Sequence, residues 1–328
     1  MRITLADSSN ARGRRIWERL SRLSGTTLND RCYGLTDTFK SIEHKPPHIV
    51  IYSEDLTQRA DFSAMEALCK CLSVRSMVLG GWGTIAKPGI HLLEPTAPDD
   101  IFLNALSDCL RSRPAQNVRA DAGLFKSSPK TTYTKTVLIG SSTGGIEALL
   151  KVLGAFPVDC PPTVIVQHTG VGFGAGLVRV LNQRVEPMVR EARHGETLKP
   201  GNILIALGSE AHLRLKSGAP LTCQLEKGEG FMGHCPSVDA LFSSAIPVAK
   251  NITAAILTGM GRDGAESLLA LRKAGARTIC QDEATSVVYG MPGAAAKLGA
   301  AEQILPLSSI GPALLRASQE QVPTCTAS

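Results

Sequence analysis

The stretch VLIGSSTGG, residues 137–145, decides the fold. An apolar, strand-like run ends in a glycine-rich turn, and the helical run IEALLKVL (residues 146–153) follows at once. Read from Gly140, the turn is GxSxG, which suits a sharp bend presenting Ser142 at a sheet edge. Two later stretches share this layout. TVIVQHTG (residues 163–170) closes on His168, and AAILTGMGRDGA (residues 254–265) carries Asp263 into the start of a helix. All three polar residues follow apolar runs at their carboxyl ends, where open α/β sheets place their ligands. A serine hydroxyl is a poor nucleophile until a base takes its proton. Ser142, His168 and Asp263 supply a nucleophile, a base and an orienting carboxylate. A serine hydrolase is the first reading.

Each residue also has a plainer role open to it. Ser142 and Thr143 could cap the following helix. His168 could be an ordinary histidine bonded to backbone; of the other histidines only His212 and His234 are plausible neighbours of a site. Asp263 could simply complement a helix dipole. Residues 259–264, GMGRDG, also match GxGxxG between a strand and a helix, with Asp282 about 20 residues on, the outline of a dinucleotide-binding turn. Against it, Asp263 puts a carboxylate where a pyrophosphate must approach, and the motif comes late in its domain. The order Ser, His, Asp differs from the Ser, Asp, His order of common α/β-hydrolases, which disfavours an ordinary lipase or esterase.

The bulk numbers set limits. At 328 residues, 43% hydrophobic and 20% charged, the chain can build two domains with real cores. No apolar run reaches the roughly 18–20 residues needed to span a bilayer, and the N-terminus MRITLADSS lacks a signal-peptide core. The nine cysteines include no CxxC, so reduced thiols in a cytoplasmic protein are expected rather than disulfides or a metal site. The net charge of +6 is too diffuse to argue for nucleic acid.

Residues 113–130, RPAQNVRADAGLFKSSPK, have no helical or strand period and read as a linker. Before it, residues 1–112 alternate strand signals (2–5, 48–52, 76–79, 89–93) with helical ones (11–23, 99–110), implying a parallel α/β sheet. After it, residues 131–318 suggest strands at 136–139, 163–167, 202–206, 253–258 and 277–281, and helices at 145–153, 174–183, 237–248 and 264–274. Residues 212–226 alternate about a Ser-Gly turn and read as an antiparallel hairpin added to the sheet. The second domain is thus expected to be doubly wound α/β with a β-hairpin addition. Residues 319–328 read as a disordered tail.

From about Thr136 to Leu307 the chain resembles the catalytic domain of the chemotaxis protein-glutamate methylesterases. The motifs are IGSSTGG, VQH, GETLKPGNILIA, the His212 region, PSVDALFSS, LTGMGRDGA and QDEATSVVYGMPGAA, in order. The resemblance implies that Ser142, His168 and Asp263 are the triad, and that Thr143 and backbone amides near His168 and Met260 form the oxyanion and substrate site. It implies hydrolysis of glutamate methyl esters on the cytoplasmic helical region of chemoreceptors, deamidation of some glutamines, no cofactor or metal, and chemotaxis signalling proteins as further partners. No nucleic acid or membrane insertion is expected. Three places depart from the family pattern: Thr169-Gly170-Val171-Gly172-Phe173 after the histidine, Ala206-Leu207-Gly208, and Gly233 and Cys235 around His234.

The family joins its esterase to a flavodoxin-like receiver domain, and residues 1–112 have that outline in degenerate form. A receiver holds Mg²⁺ with clustered carboxylates, accepts phosphate on an aspartate and pairs it with a lysine. In ITLADSS only Asp7 is acidic, with Ser8 in the second acidic place. In PHIVIYSEDL, Ser53 stands at the acceptor position, and in LLEP, Glu94 replaces the lysine. Lys87-Pro88 imitates the Lys-Pro pair but precedes the last strand. About 14 residues separate Gly80 from Glu94, too few for a normal helix between two strands. No phosphoacceptor is expected, with Glu54 or Asp55 as displaced alternatives. A non-catalytic protein that keeps the esterase shape is the competing reading.

Overall fold

The computed structural model describes all residues except 60–61, 82–83, 85–89, 112–131, 169–173, 208–210, 229–233 and 320–328. The expected linker, nearly all of the expected tail, the 169–173 loop, Gly208, Gly233 and Lys87-Pro88 therefore lie outside the described residues. The chain divides into two compact units, Met1–Leu124 and Phe125–Ser328.

In the first unit, β1 (Arg2–Ala6), β2 (Thr27–Cys32), β3 (Ile49–Ser53), β4 (Arg75–Leu79) and β5 (His91–Leu93) form one parallel sheet. The strand order is β2-β1-β3-β4-β5, one of the two common doubly wound orders. The helices are α1 (Asn10–Arg22), α2 (Leu35–His44), α3 (Glu54–Thr57), α4 (Phe62–Cys71) and α5 (Asp99–Arg111). Ser9 starts α1 by accepting a hydrogen bond from the Arg12 amide, and Ile16 and Leu20, one turn apart, bury its inner face. Between β4 and β5 no helix occurs among the described residues. The strand β2 and the helices α2, α3 and α4 were not expected. β2 lies at the sheet edge and is mostly polar, so it carries little apolar alternation.

The second unit is built on seven parallel strands: β6 (Thr136–Ser141), β7 (Thr163–Gln167), β8 (Met188–Glu191), β9 (Asn202–Leu207), β12 (Ile252–Ile256), β13 (Arg277–Gln281) and β14 (Gln303–Leu305). Their order is β14-β13-β12-β6-β7-β9-β8. β6 lies between β7, which continues the chain one way, and β12, which continues it the other. That reversal is a topological switch point, where doubly wound sheets open a ligand crevice. Every residue of β6, β7 and β12 is buried, which makes the centre of the sheet a rigid platform.

The remaining helices are α6 (Gly145–Leu153), α7 (Gly174–Asn182), α8 (Val238–Ser244), α9 (Ala265–Lys273), α10 (Met291–Lys297) and α11 (Leu307–Ser318). The helix expected over 237–248 is shorter, because Pro247 removes a donor and residues Ile246–Asn251 tighten into a 3-10 helix. The hairpin of β10 (Ala211–Lys216) and β11 (Thr222–Lys227) forms as expected, but as a separate two-stranded sheet rather than an extension of the main one. It packs on α8, whose Leu241 and Phe242 are fully buried, a contribution of roughly 1.5–3 kcal/mol each.

Candidate active site

The register of the central strands brings the three expected residues to one edge. Ser141 pairs with Gln167 across β6 and β7, and the His168 amide donates to the Ser141 carbonyl at 3.0 Å. Ser142 and His168, each one residue further on, are therefore side by side. On the other flank the Ser142 amide donates to the Thr258 carbonyl just beyond β12, at 3.0 Å. Asp263 follows five residues later, before α9.

The turn holding Ser142 is shaped by close approach. A Cβ at Gly140 would sit 2.4 Å from Val238, so only glycine lets the start of α8 come under β6. Gly144 has φ +79°, and a Cβ there would meet Val287 at 2.7 Å. Gly144 is the N-cap of α6 and no side chain caps that helix, so neither Ser142 nor Thr143 serves as its cap. Ser142 is 7% exposed, at the positive end of the α6 dipole.

His168 Nε2 lies 2.9 Å from Asp263 Oδ2, with side chains 9% and 1% exposed. Asp263 accepts three further hydrogen bonds: from Ser237 Oγ (2.9 Å) and the Asp239 amide (3.0 Å) to Oδ1, and from the Val238 amide (2.7 Å) to Oδ2. Burial by itself would raise the Asp263 pKa. The bond and charge of His168 and the two backbone amides outweigh it and hold the pKa down at about 2. Asp239 shifts the other way, raised by burial and the nearby Asp263 charge, against bonds from Ser267.

An ionised Asp263 fixes the proton of His168 on Nε2, which leaves Nδ1 as the basic nitrogen. Nδ1 is buried and has no hydrogen-bond partner among the described residues. The Ser142 hydroxyl makes no bond to it in this structure; such contacts often tighten only when substrate binds. One face of the His168 ring is covered by His234, parallel to within 7° at a centroid distance of 4.2 Å. His212 is buried behind the site, its Nδ1 accepting from the Ser237 amide at 3.2 Å. Both histidines expected as neighbours are thus in place.

The oxyanion expectation needs one correction. The His168 amide is committed to Ser141, so it cannot also donate to a substrate oxygen. The Thr143 amide has no acceptor among the described residues, and Met260 is 42% exposed beside the site. Reading the sequence also missed a scaffold of buried glutamines. Gln167 accepts from Ser141 Oγ and donates to the Ser142 and His168 carbonyls, clamping the ends of β6 and β7. Gln281 accepts from the Thr258 amide at 2.8 Å, doing the same beside β12. The signal was available: each is a polar residue closing an apolar strand, TVIVQ and RTICQ.

In the first unit, Asp7 is fully buried and both its oxygens are taken by Arg12, Nε to Oδ2 at 2.8 Å and Nη2 to Oδ1 at 2.7 Å. Arg12 also reaches Asp55 at 3.2 Å. Ser53 ends β3 and accepts from the Ser8 amide at 3.4 Å, while Thr84 donates to Glu54 at 3.1 Å. A guanidinium already satisfies the carboxylates at this edge, so the residues present do not fit the divalent cation that the receiver resemblance implies. Glu94 accepts from Thr96 at 2.6 Å and offers no positive charge where that resemblance expects one.

A doubly wound parallel sheet that brings a serine, a histidine and an aspartate together at its switch point has the layout of the serine hydrolases. Comparison with known proteins gives the family. The CheB methylesterase family model matches residues 137–314, more than half of the chain, and the chain belongs to that family. It is 51% identical over 217 residues to a protein-glutamate methylesterase/protein-glutamine glutaminase of Gluconobacter oxydans, covering 64% of this chain and 62% of that one. A relative so named in Caulobacter vibrioides is 41% identical over 251 residues, covering 74% and 72%. The CheB methylesterase catalytic domain of Thermotoga maritima superposes with a TM-score of 0.54 at 35% identity, covering 56% of this chain and 99% of that domain. The chain spans less than two thirds of the length of the Gluconobacter relative.

Proposed function

We propose that the second unit hydrolyses glutamate methyl esters on chemoreceptors, and deamidates selected glutamines, with Ser142 as nucleophile, His168 as base and Asp263 as orienter. The observation that carries this is the His168–Asp263 pair, which leaves a buried basic nitrogen beside the next strand's serine. In the reaction, Nδ1 of His168 takes the Ser142 proton as Oγ attacks the ester carbonyl. The imidazolium that forms is stabilised by Asp263. The Thr143 amide, aided by backbone near Met260, receives the developing oxyanion, at about 3–4 kcal/mol per donor. Methanol leaves with the proton from Nδ1, and water, deprotonated by the same nitrogen, frees the glutamate. A glutamine side chain is a near-isosteric acyl compound that releases ammonia by the same steps.

The first unit is, on this reading, a flavodoxin-like receiver, residues 1–112, that has lost aspartyl phosphorylation and is joined through residues 113–130 to the catalytic domain, residues 131–318. Its strand order, Ser53 at the end of β3 and the Arg12–Asp7 pair support this. Among the described residues no helix is long and apolar enough to cross a membrane. The proposed place of action is the cytoplasm, on receptor helices there.

The test is methanol release from methylated chemoreceptor by the full chain, with and without a small phosphodonor and Mg²⁺. Turnover that Ser142→Ala abolishes and the donor leaves unchanged is the expected result. Turnover retained by Ser142→Ala refutes the nucleophile, and stimulation by the donor refutes the degenerate receiver.

A further inference from the structure

The second unit contains a cavity of about 650 Å³ at the opposite edge of its sheet from Ser142. Lys135 lies just before β6, Arg277 opens β13, Glu302 precedes β14, and Arg316 comes from the last turn of α11; all four line the cavity. Ile279, with two alanines of α11, gives it an apolar wall. The volume is within the range of about 300–1,000 Å³ typical of small-molecule pockets.

The charges are unbalanced. Three cations face one carboxylate, and Glu302 makes only a long contact with Arg277, at 3.5 Å. Lys135 and Arg316 form no ion pair among the described residues. The Lys135 pKa is lowered, first by burial and then by the charge of Arg277, with Glu302 opposing. Like charges held together around a concave space, without enough carboxylates to offset them, create a field that an anion relieves.

We propose that this cavity binds a phosphate-bearing small molecule, its anion held by Lys135, Arg277 and Arg316 and its apolar part resting on Ile279. Glu302 is then the acceptor for a hydroxyl or amino group on the ligand. The site is separate from the esterase chemistry and does not depend on that reading. It also lies on strands that cross the unit: β6 runs from Thr136, next to Lys135, to Ser141, and β13 from Arg277 to Gln281, which holds the Thr258 amide.

Isothermal titration of the full chain with adenosine monophosphate and with inorganic phosphate tests this. The expected result is one saturable site per chain, tighter for the nucleotide than for phosphate and weakened by added salt. Arg316→Ala and Lys135→Met are each expected to weaken it roughly tenfold, the loss of one charge-assisted hydrogen bond. Both side chains lie at or near the surface, and unchanged thermal melts would show that the fold persists. Absence of saturable binding up to about 10 mM overturns the proposal. So does binding that survives both substitutions, and equal affinity for phosphate and nucleotide overturns the role of the apolar wall.

Discussion

Asp263→Asn is the sharpest perturbation of the site, because it removes a charge while keeping shape. Four donors converge on the carboxylate: Ser237 Oγ, the Val238 and Asp239 amides, and His168 Nε2. An asparagine has one acceptor oxygen. If that oxygen keeps Ser237 and Asp239, its NH2 group confronts the Val238 amide and Nε2. The imidazole can relieve the second conflict only by accepting at Nε2, which moves its proton to Nδ1, the nitrogen proposed to take the Ser142 proton. The wrong tautomer in a serine triad costs about 10⁴ in kcat, or about 5–6 kcal/mol of barrier. The orphaned Val238 amide costs about 1–3 kcal/mol of stability. The pH dependence changes too. The folded-state pKa of Asp263, about 2, lies below the ordinary value of 3.8. Its stabilisation, about 2–3 kcal/mol, is therefore complete above about pH 4 and is lost as the pH falls through the folded value. Asp239, with a raised pKa, contributes in the opposite sense, so the informative quantity is the difference between wild type and variant. The assay is methanol release at pH 7 together with urea unfolding from pH 7 to 2.5. An Asn variant within tenfold of wild-type kcat, or with an unchanged acid limb of stability, would refute this account of the orienting carboxylate.

Other substitutions test the scaffold and the first unit. Gly144→Ala forces a side chain into a left-handed turn and against Val287, and should lower stability by at least about 1–2 kcal/mol and reduce kcat; denaturant melts and turnover check both. Glu147 on α6 has its pKa pushed up to about 7 by burial, with Lys151 opposing. Its penalty on the folded state grows as pH rises from the unfolded value to about 7, so Glu147→Gln should stabilise the protein by about 1–2 kcal/mol at pH 8, after discounting for partial exposure, and by nothing at pH 4. Arg12→Ala should lower the thermal midpoint of the first unit and make it respond to Mg²⁺, whereas the wild type should not; calorimetry with and without the metal reads both.

What the sequence disclosed, and what it hid, follows from burial. The strands β6, β7, β9, β12 and β13 were legible because the sheet interior demands long apolar runs, and Ser142, His168 and Asp263 stand out as polar residues following them. The strands that escaped notice, β2, β8 and β14, are all at sheet edges, where one neighbour and partial exposure permit sequences such as MVRE and QIL. The ligation of Asp263 was hidden for a different reason. Three of its donors come from Ser237, Val238 and Asp239, far away in sequence and brought close by the small residues Gly140 and Gly264, where any Cβ would strike Val238. Composition and period carry no record of such a meeting.

The two units solve the same electrostatic problem in opposite ways. Each buries an aspartate near the carboxyl edge of its sheet, Asp263 at 2% and Asp7 at 1% exposure, and a buried carboxylate is tolerable only if its charge is met. Asp263 is met by a hydroxyl, two backbone amides and the His168 imidazole, the group that takes up and returns a proton in the proposed reaction. Asp7 is met by a guanidinium that stays charged at every physiological pH. The first arrangement leaves a group able to change its protonation, and the second leaves none. Function of a switching kind can therefore remain at Ser142 and His168. The edge around Arg12, with its pair already closed, holds a fixed charge that neither a metal nor a proton is needed to complete.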